Sequence, residues 1–175
     1  MILRLIIWLI LIFGGIAGGY YIDDILFENI HENVLFHIIC SAVGIFLLFL
    51  VITISKNTGR TLARYGRKGK LKRLETNVLV REGVYQYMRH PMHLGLMLFP
   101  LSVAFLAGSP SFILIIAPIE ILFMLIMIKV LEEPEAIRKF GDDYREYKQQ
   151  VPGFCFRITC LKELLKTVPK NKENQ

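Results

Sequence analysis

The chain has 175 residues, of which 54% are hydrophobic, and its formal net charge is +6. A mean hydropathy of +0.47 excludes an ordinary soluble globular protein, and the length is that of one domain. The sequence contains no glycine-rich dinucleotide motif, P-loop or G-x-S-x-G motif, so it does not indicate a soluble nucleotide-binding fold or an α/β-hydrolase. Composition therefore predicts a single integral-membrane domain.

Four apolar segments have about the length that a transmembrane helix needs, which is roughly 20 residues. They are residues 5–22, 34–54, 92–107 and 111–131. The third would be only about 24 Å long as a helix, so the last two segments either cross the membrane fully or form a re-entrant hairpin. The predicted fold is an all-α bundle of about four spans, the last two of them a hairpin.

The first predicted span contains four glycines, Gly14, Gly15, Gly18 and Gly19. Small residues allow two helices to approach closely, but glycine is also common in membrane helices without a packing role. The sequence leaves both interpretations open.

The distribution of charge predicts the orientation of these spans. Connection 23–33 has four acidic residues and no Lys or Arg, whereas connection 55–88 and the tail after residue 131 have nine basic residues each. By the positive-inside rule, both termini and both basic regions are predicted to be cytoplasmic. The basic charge is therefore an orientation signal, with contact to anionic lipid as a second role, and nucleic acid is not a predicted partner.

The tail is predicted to form an amphipathic cytoplasmic helix over residues 132–150, which Pro152 and Gly153 end. Its apolar and aromatic residues recur at steps of three and four, and they are Ile137, Phe140, Tyr144 and Tyr147. This aromatic edge is expected to lie against the membrane or against the rest of the protein.

The three cysteines do not indicate a disulfide framework or a metal site. Cys40, in the second predicted span, is expected to be a packing residue. Cys155 and Cys160 are predicted to be ordinary thiols, with lipidation as the alternative.

Two polar clusters lie at the cytoplasmic ends of the last two predicted spans. Residues 81–95 read REGVYQYMRHPMHLG and residues 129–135 read KVLEEPE. Because both clusters belong to one predicted hairpin, we expect them to be neighbours. Together they supply cations, carboxylates, imidazoles and aromatic rings, which suit a small zwitterionic, cationic and aromatic ligand.

A membrane-anchoring interpretation competes with this binding site. Arg89 and Lys129 are then snorkelling anchors. Tyr85 and Tyr87 are interfacial aromatic residues, and the acidic pair at 132–133 is a solvated helix face.

The anchoring interpretation does not account for His90 and Pro91. A proline at the first helical position leaves the following amides directed at whatever lies over the helix N-terminus, and a carboxylate suits that position. Metal binding by His90 and His93 is a weaker alternative, because no complete Glu-x-x-His or His-Glu-x-x-His motif occurs. No metal site is predicted.

Several motifs in residues 77–154 occur in an order and spacing typical of one family. They are Gly83-Val84-Tyr85, Arg89-His90-Pro91 with Gly95, Glu132-Glu133, Phe140-Gly141 with Tyr144 and Tyr147, and Val151-Pro152. This set resembles the isoprenylcysteine carboxyl methyltransferase and phospholipid methyltransferase family of integral-membrane enzymes. The resemblance covers nearly half the chain, and it is specific because it joins several motifs.

The resemblance implies that S-adenosylmethionine binds on the cytoplasmic side. The cofactor-binding residues that it implies are Asn77, Val78, Leu79, Val80, Tyr85, His90, Pro91, Met92, His93, Glu132 and Glu133. Within this set, Glu132 is expected to pair with the cofactor's ammonium. His90 and the helix N-terminus that follows it are expected to hold the cofactor's carboxylate, and Tyr85 to pack on its adenine.

Three residues are predicted to be catalytic, namely Arg89, His93 and Glu120. The family usually has Tyr where this chain has His93, and an imidazole can act as a base near neutral pH. Glu120 lies within a predicted span, where an acid is costly unless it faces a partner or a cavity. It is expected to line the acceptor pocket or relay a proton, or alternatively to pair structurally with another helix.

A second departure from the family concerns the acceptor. Enzymes that methylate prenylated cysteine carry an Arg just before the Glu pair, and this chain has Ile128 at that position. On a helix, the neighbouring Lys129 projects about 100° away from the direction of residue 128. Its ammonium is a compact charge that lacks the paired N–H donors with which an Arg guanidinium binds a carboxylate. This departure argues against carboxyl methylation of a prenylated cysteine.

The sequence therefore predicts an S-adenosylmethionine-dependent methyltransferase for a small lipophilic or lipid-linked acceptor. A non-catalytic membrane protein that binds a lipid or a partner is the alternative. A nicotinamide-dependent membrane reductase is a third possibility.

Overall fold

The computed structural model describes residues 2–31, 33–67, 76–166 and 168. All regular structure within these residues is helical, which confirms the all-α prediction. The α-helices are α1 (Ile2–Leu26), α2 (Glu28–His31), α3 (Val34–Tyr65), α4 (Pro91–Ala107), α5 (Ala117–Met127), α6 (Glu133–Phe140), α7 (Asp142–Gln150) and α8 (Ile158–Leu165). A 3₁₀ turn covers Gly83–Gln86, and π-helical turns cover Phe112–Ile116 and Ile128–Glu132.

Three helical stretches in the described residues are long and apolar enough to cross a membrane: Ile6–Leu26, Val34–Tyr65 and Phe112–Phe140. Helix α4 is apolar but has only 17 residues, which is short for a full crossing. The chain is therefore a multi-pass membrane protein, while the fourth crossing stays a prediction.

The chain divides into two compact units, and the first contains Met1–Val51 and Met97–Met127. Its core is formed by Ala104, Phe112 and Ala117 with partly buried apolar neighbours. Two hydrogen bonds tie α1 to the second half of this unit: Tyr20 Oη donates to the carbonyl of Ala107 at 2.8 Å, and the amide of Ser111 donates to Asp23 Oδ1 at 2.7 Å.

The glycines of α1 differ in what they contact. A Cβ at Gly15 would lie 2.8 Å from Cζ of Phe112, and a Cβ at Gly19 would lie 2.6 Å from Oγ of Ser109. Gly14 has nothing within 4 Å. Gly15 and Gly19, four residues apart, thus form a packing face within the chain. For these two glycines, the packing interpretation is therefore the correct one.

The second unit contains Ile52–Leu96 and Ile128–Gln175. It begins inside α3, which continues to Tyr65 instead of ending near residue 54. Residues 55–65, predicted to be part of the connection 55–88, are instead the last turns of α3. Here Thr58 and Thr61 donate their hydroxyls to the carbonyls of Ile54 and Asn57, so the polar side chains are satisfied by the helix itself.

The tail is two helices instead of the one predicted over residues 132–150. Gly141 has φ of +60°, so α6 ends there and α7 begins after it. Tyr144 and Tyr147 on α7 are buried within the protein, so these two residues of the predicted aromatic edge lie against the rest of the protein, whereas Ile137 and Phe140 on α6 are only partly buried.

The expectation that Cys155 and Cys160 are separate thiols is wrong. They form a disulfide, with Cα atoms 6.0 Å apart, because the turn into α8 brings them within the usual disulfide range. Cys40 is free and buried, as expected of a packing residue.

Candidate functional site

The site lies in the second unit, where the segment before α4 is fixed by the tail. Gly83 opens the 3₁₀ turn with φ of +59°, a conformation that favours glycine. Met88 is fully buried beyond that turn. The amides of Arg89 and His90 then donate to the carbonyls of Pro152 and Gly153 at 2.9 and 3.1 Å, so the Val-Pro motif holds the Arg-His-Pro motif by backbone hydrogen bonds.

Glu133 is the centre of an ionic cluster. Its Oε1 accepts from Arg89 Nη2 at 2.5 Å and lies 3.3 Å from Nε2 of His90. Its Oε2 accepts from Lys148 Nζ at 2.5 Å. Because the Glu133, Arg89 and His90 side chains are only 10% exposed, these contacts are made largely out of water, where charge pairing is strong.

Arg89 connects this cluster to the tail. Its Nη1 donates to the carbonyls of Lys148 and Val151 at 3.0 and 2.7 Å. Its Nε and the hydroxyl of Tyr144 are buried and lack a hydrogen-bond partner of good geometry among the described residues. The cluster thus retains two buried polar groups that a ligand can satisfy.

Burial lowers the pKa of His90 to about 4. Its hydrogen bond with Glu133 opposes this shift, whereas the neighbouring His93 and Arg89 add to it. The His90 ring centroid lies 5.7 Å from that of His93 and 5.9 Å from that of Phe154. His90 is therefore neutral at physiological pH, within a group of aromatic rings.

A second contact between the turn and the tail involves two tyrosines. The hydroxyl of Tyr147 donates to the carbonyl of Tyr85 at 2.5 Å, and both side chains are buried. Burial raises the pKa of each phenol, so both stay neutral. This hydrogen bond fixes the backbone of the Gly-Val-Tyr motif against α7.

All eleven predicted cofactor-binding residues belong to this one unit. The amides of Asn77 and Val78 donate to the carbonyl of Gly66, and Val80 is buried. Glu132 is half-buried, directly before Glu133. The other members of the predicted set in this unit are Leu79, Tyr85, His90, Pro91, Met92 and His93.

Glu120, the third predicted catalytic residue, belongs to the first unit. It is 2% exposed, and neither carboxyl oxygen has a hydrogen-bond partner among the described residues. A Cβ at Gly15 would lie 3.1 Å from its Oε1. Its proposed role in the acceptor pocket or in proton transfer stays a prediction.

Sequence reasoning missed two contributors to the site. Lys148 was counted only as one of the basic residues of the tail, and its spacing gives no sign that it meets Glu133. Tyr147 was noted in the family motif without a role, although its three-residue step from Tyr144 indicated a common buried face.

A cavity of about 490 Å³ lies beside the site, within the size range of small-molecule pockets. Its lining residues come from the 3₁₀ turn and its end, from the segment after α7 and from the start of α8: Gln86, Tyr87, Pro152, Phe154, Cys155, Phe156, Arg157, Thr159 and Cys160.

These features define a class: a multi-pass helical membrane protein whose Arg-His-Pro segment and tail meet at a buried ionic cluster. The sequence profile of the phospholipid methyltransferase family matches residues 34–143. The chain belongs to this family, which confirms the resemblance found in the sequence.

Two curated relatives match the chain. It is 32% identical over 88 residues to a protein-S-isoprenylcysteine O-methyltransferase of Schizosaccharomyces pombe, which covers 47% of this chain and 34% of that protein. It is 34% identical over 84 residues to protein-S-isoprenylcysteine O-methyltransferase B of Arabidopsis thaliana, which covers 48% of this chain and 42% of that protein. The chain thus matches less than half the length of either relative.

The chain is also similar in fold to a solved structure. That structure is the eukaryotic intramembrane Ras methyltransferase, isoprenylcysteine carboxyl methyltransferase, with a TM-score of 0.57 and 21% sequence identity. The alignment covers 85% of this chain and 52% of that chain.

Proposed function

We propose that the protein is an S-adenosylmethionine-dependent methyltransferase that acts on a small lipophilic or lipid-linked acceptor at the cytoplasmic membrane face. The observation that carries the proposal is the meeting of the family motifs at one place. Arg89 and His90 both contact Glu133, and the Arg-His-Pro segment is bonded to the Val-Pro segment. Chain segments more than 40 residues apart thus form a single polar site.

The residues of the site fit the proposed cofactor. S-adenosylmethionine has an ammonium, a carboxylate and an adenine, and the second unit contains a half-buried carboxylate, a helix N-terminus and buried aromatic rings. The Nε of Arg89 and the hydroxyl of Tyr144, which lack a well-aligned hydrogen-bond partner among the described residues, are buried donors suited to an anionic group. When bound, the cofactor supplies an electrophilic methyl group on a sulfonium.

Each residue has a role in this proposal. Glu132 pairs with the ammonium. The first amides of α4 hold the carboxylate, since the first amides of a helix have no acceptor within it. The neutral His90 ring, whose Nε2–H is directed at Glu133, packs beside the cofactor's carboxylate and fixes the start of α4. Tyr85 packs on the adenine, and residues 77–80 with Pro91 and Met92 form the adjacent wall.

The remaining residues orient the acceptor and move a proton. Glu133 fixes Arg89 and His90 in place through their ion pair and hydrogen bond. An amine or hydroxyl acceptor loses a proton on methylation, and His93 is the nearest base for it. A site at the membrane surface excludes water and admits a lipid-borne acceptor from the side, which favours the alignment that methyl transfer requires.

The acceptor is proposed to differ from a prenylcysteine carboxylate. Ile128, at the position of the family's Arg, is buried, and Lys129 is exposed. Neither residue supplies the fork of donors that recognises a carboxylate.

Calorimetric titration of S-adenosylhomocysteine into the detergent-purified protein tests the proposal. We expect micromolar binding by the wild type and its loss in Glu132→Ala and His90→Ala. Glu135→Ala, three residues along the same segment, serves as the matched control and should bind normally. Absence of binding by folded wild type would refute the proposal.

Turnover with defined acceptors tests the part of the proposal that concerns the methyl acceptor. Radiolabelled S-adenosylmethionine is supplied with phosphatidylethanolamine or with an S-isoprenylcysteine in separate reactions. Methylation of the isoprenylcysteine carboxylate at a rate above that of the phospholipid amine would contradict the proposed acceptor class while leaving the cofactor assignment intact.

A further inference from the structure

Helix α8 has two apolar faces, and only one of them is covered by the protein. Cys160 and Leu164 are 2% exposed and form the inner face. Ile158, Leu161 and Leu165 are 72%, 37% and 42% exposed, and Phe156 just before the helix is 70% exposed. Spacings of three and four residues place the exposed three on one stripe.

Basic side chains flank this stripe on one side. At 100° per residue, Lys162 and Lys166 follow the stripe directly around the helix axis, opposite the inner face. Arg157 precedes the helix. Glu163 is the one acidic residue of α8 and lies 3.4 Å from Lys166. The outer surface of α8 therefore combines an apolar stripe with net positive charge.

Hydrogen bonds that α3 makes to α8 and to Val168, just beyond it, fix the depth of α8 relative to the hydrocarbon core of the membrane. Asn57 Nδ2 donates to the carbonyl of Leu164 at 3.4 Å, and Arg60 Nη1 donates to the carbonyl of Val168 at 3.0 Å. Asn57 and Arg60 follow the apolar run of α3, which ends at Ile54, by three and six residues. At 1.5 Å per residue they lie about 5 to 9 Å beyond it, which is the depth of the headgroup region.

We propose that α8 is an interfacial anchor that binds the anionic surface of the membrane. Its stripe of Phe156, Ile158, Leu161 and Leu165 enters the boundary between headgroups and acyl chains, and Arg157, Lys162 and Lys166 contact anionic headgroups. Exposed apolar side chains at the headgroup level are covered by lipid, and a flanking row of cations is complementary to acidic headgroups. The proposal does not depend on methyl transfer or on a cofactor.

The test uses a single tryptophan in the full-length protein in nanodiscs. Trp8 is replaced by Phe, and Leu161→Trp places the reporter on the stripe, while Thr159→Trp places it on the exposed polar side of α8. We expect brominated phosphatidylcholine to quench Leu161→Trp at least about twofold more than Thr159→Trp, and acrylamide to show the reverse order. Ile158→Trp reports on the same stripe if Leu161→Trp does not fold.

Charge is tested by adding phosphatidylglycerol to the nanodiscs. Quenching of Leu161→Trp by brominated lipid should rise with the anionic fraction. Lys162→Gln with Lys166→Gln should reduce that rise, and adding Arg157→Gln should abolish it. Lys139→Gln, an exposed lysine on α6, is the matched control and should retain it.

Three results would overturn the proposal. Weak quenching of Leu161→Trp by brominated lipid together with strong quenching by acrylamide, as in Thr159→Trp, would place the stripe in water. Protection of Leu161→Trp from both quenchers would mean that protein, such as a second copy of the chain, covers the stripe. A rise in quenching with phosphatidylglycerol that persists after Arg157, Lys162 and Lys166 are all replaced would show that these cations do not bind anionic headgroups.

Discussion

Glu133 shows what a single residue does in this site, because it accepts from Arg89, His90 and Lys148 together. The family resemblance gave Glu132 the role of pairing with the cofactor's ammonium, but it gave Glu133 no separate role within the acidic pair. Burial and partners make the distinction: Glu133 is buried against three cationic or imidazole groups, whereas Glu132 is half-buried.

Replacing Glu133 with Gln should destabilise the fold strongly. The change leaves the guanidinium of Arg89 buried without its counter-ion, and breaking a buried pair in this way costs about 3 to 5 kcal/mol. Denaturant unfolding in detergent, without ligand, measures the loss. Glu135→Gln removes a carboxylate from the same helix and should change stability by less than about 0.5 kcal/mol; equal effects of the two variants would contradict the importance of the cluster.

His90 should make stability depend on pH below neutrality. Its pKa is lowered to about 4 in the folded protein, so between pH 6.5 and 4 the unfolded chain binds more protons than the folded chain. The contribution of His90 to the free energy of unfolding is therefore fully present above about pH 6.5 and is lost as pH falls toward 4. About 2 kcal/mol of it is lost by pH 5. Unfolding free energies at pH 7.5 and 5 should differ less in His90→Gln than in the wild type, and parallel pH profiles would show that His90 is not responsible.

At the scale of elements, local breaks decide how the tail reaches the site. A positive φ at Gly141 separates α6 from α7, and Tyr147 and Lys148 on α7 then reach Tyr85 and Glu133. The periodicity of residues 132–150 is helical throughout, so it could not reveal this break. Phe140-Gly141 was visible in the sequence as a family motif, but without its backbone conformation.

The packing of α1 yields a matched pair of substitutions. Gly19→Ala would place a methyl group 2.6 Å from Oγ of Ser109 and 3.0 Å from Cβ of Phe112, and such overpacking costs about 1 to 3 kcal/mol. Gly14→Ala, with nothing within 4 Å, should be nearly neutral. Thermal unfolding in detergent compares the two, and similar melting temperatures would argue against close packing at Gly19.

The disulfide at the start of α8 can be checked by mass. Alkylation of denatured protein purified without reductant should modify only Cys40, and prior reduction should expose Cys155 and Cys160 as well. Cys155→Ser with Cys160→Ser should lower stability by about 2 kcal/mol, since a short loop is no longer closed. Modification of all three cysteines without reduction would mean that the bond is absent from the purified protein.

At the scale of the whole molecule, the chain belongs to the phospholipid methyltransferase family through residues 34–143, and it matches 34% and 42% of the lengths of its two curated relatives. The predicted cofactor-binding residues, which lie between positions 77 and 93 and at positions 132 and 133, belong to one compact unit, whereas Glu120 belongs to the other. The proposed methyltransferase activity therefore rests on the motifs of a single unit.

Apolar run length and motif spacing are local properties of the chain, so the membrane class, the all-α fold and the family could be predicted without a structure. The cofactor-binding and catalytic roles of the individual site residues stay predictions. Only the tertiary structure decided that Arg89, His90 and Lys148 meet at Glu133, that Cys155 bonds Cys160, and that Gly19 but not Gly14 is packed. Each of these depends on contacts or chain turns that no periodicity encodes. Burial then sets the strength of the ion pairs at Glu133, since the same charged side chains exposed to water would interact only weakly.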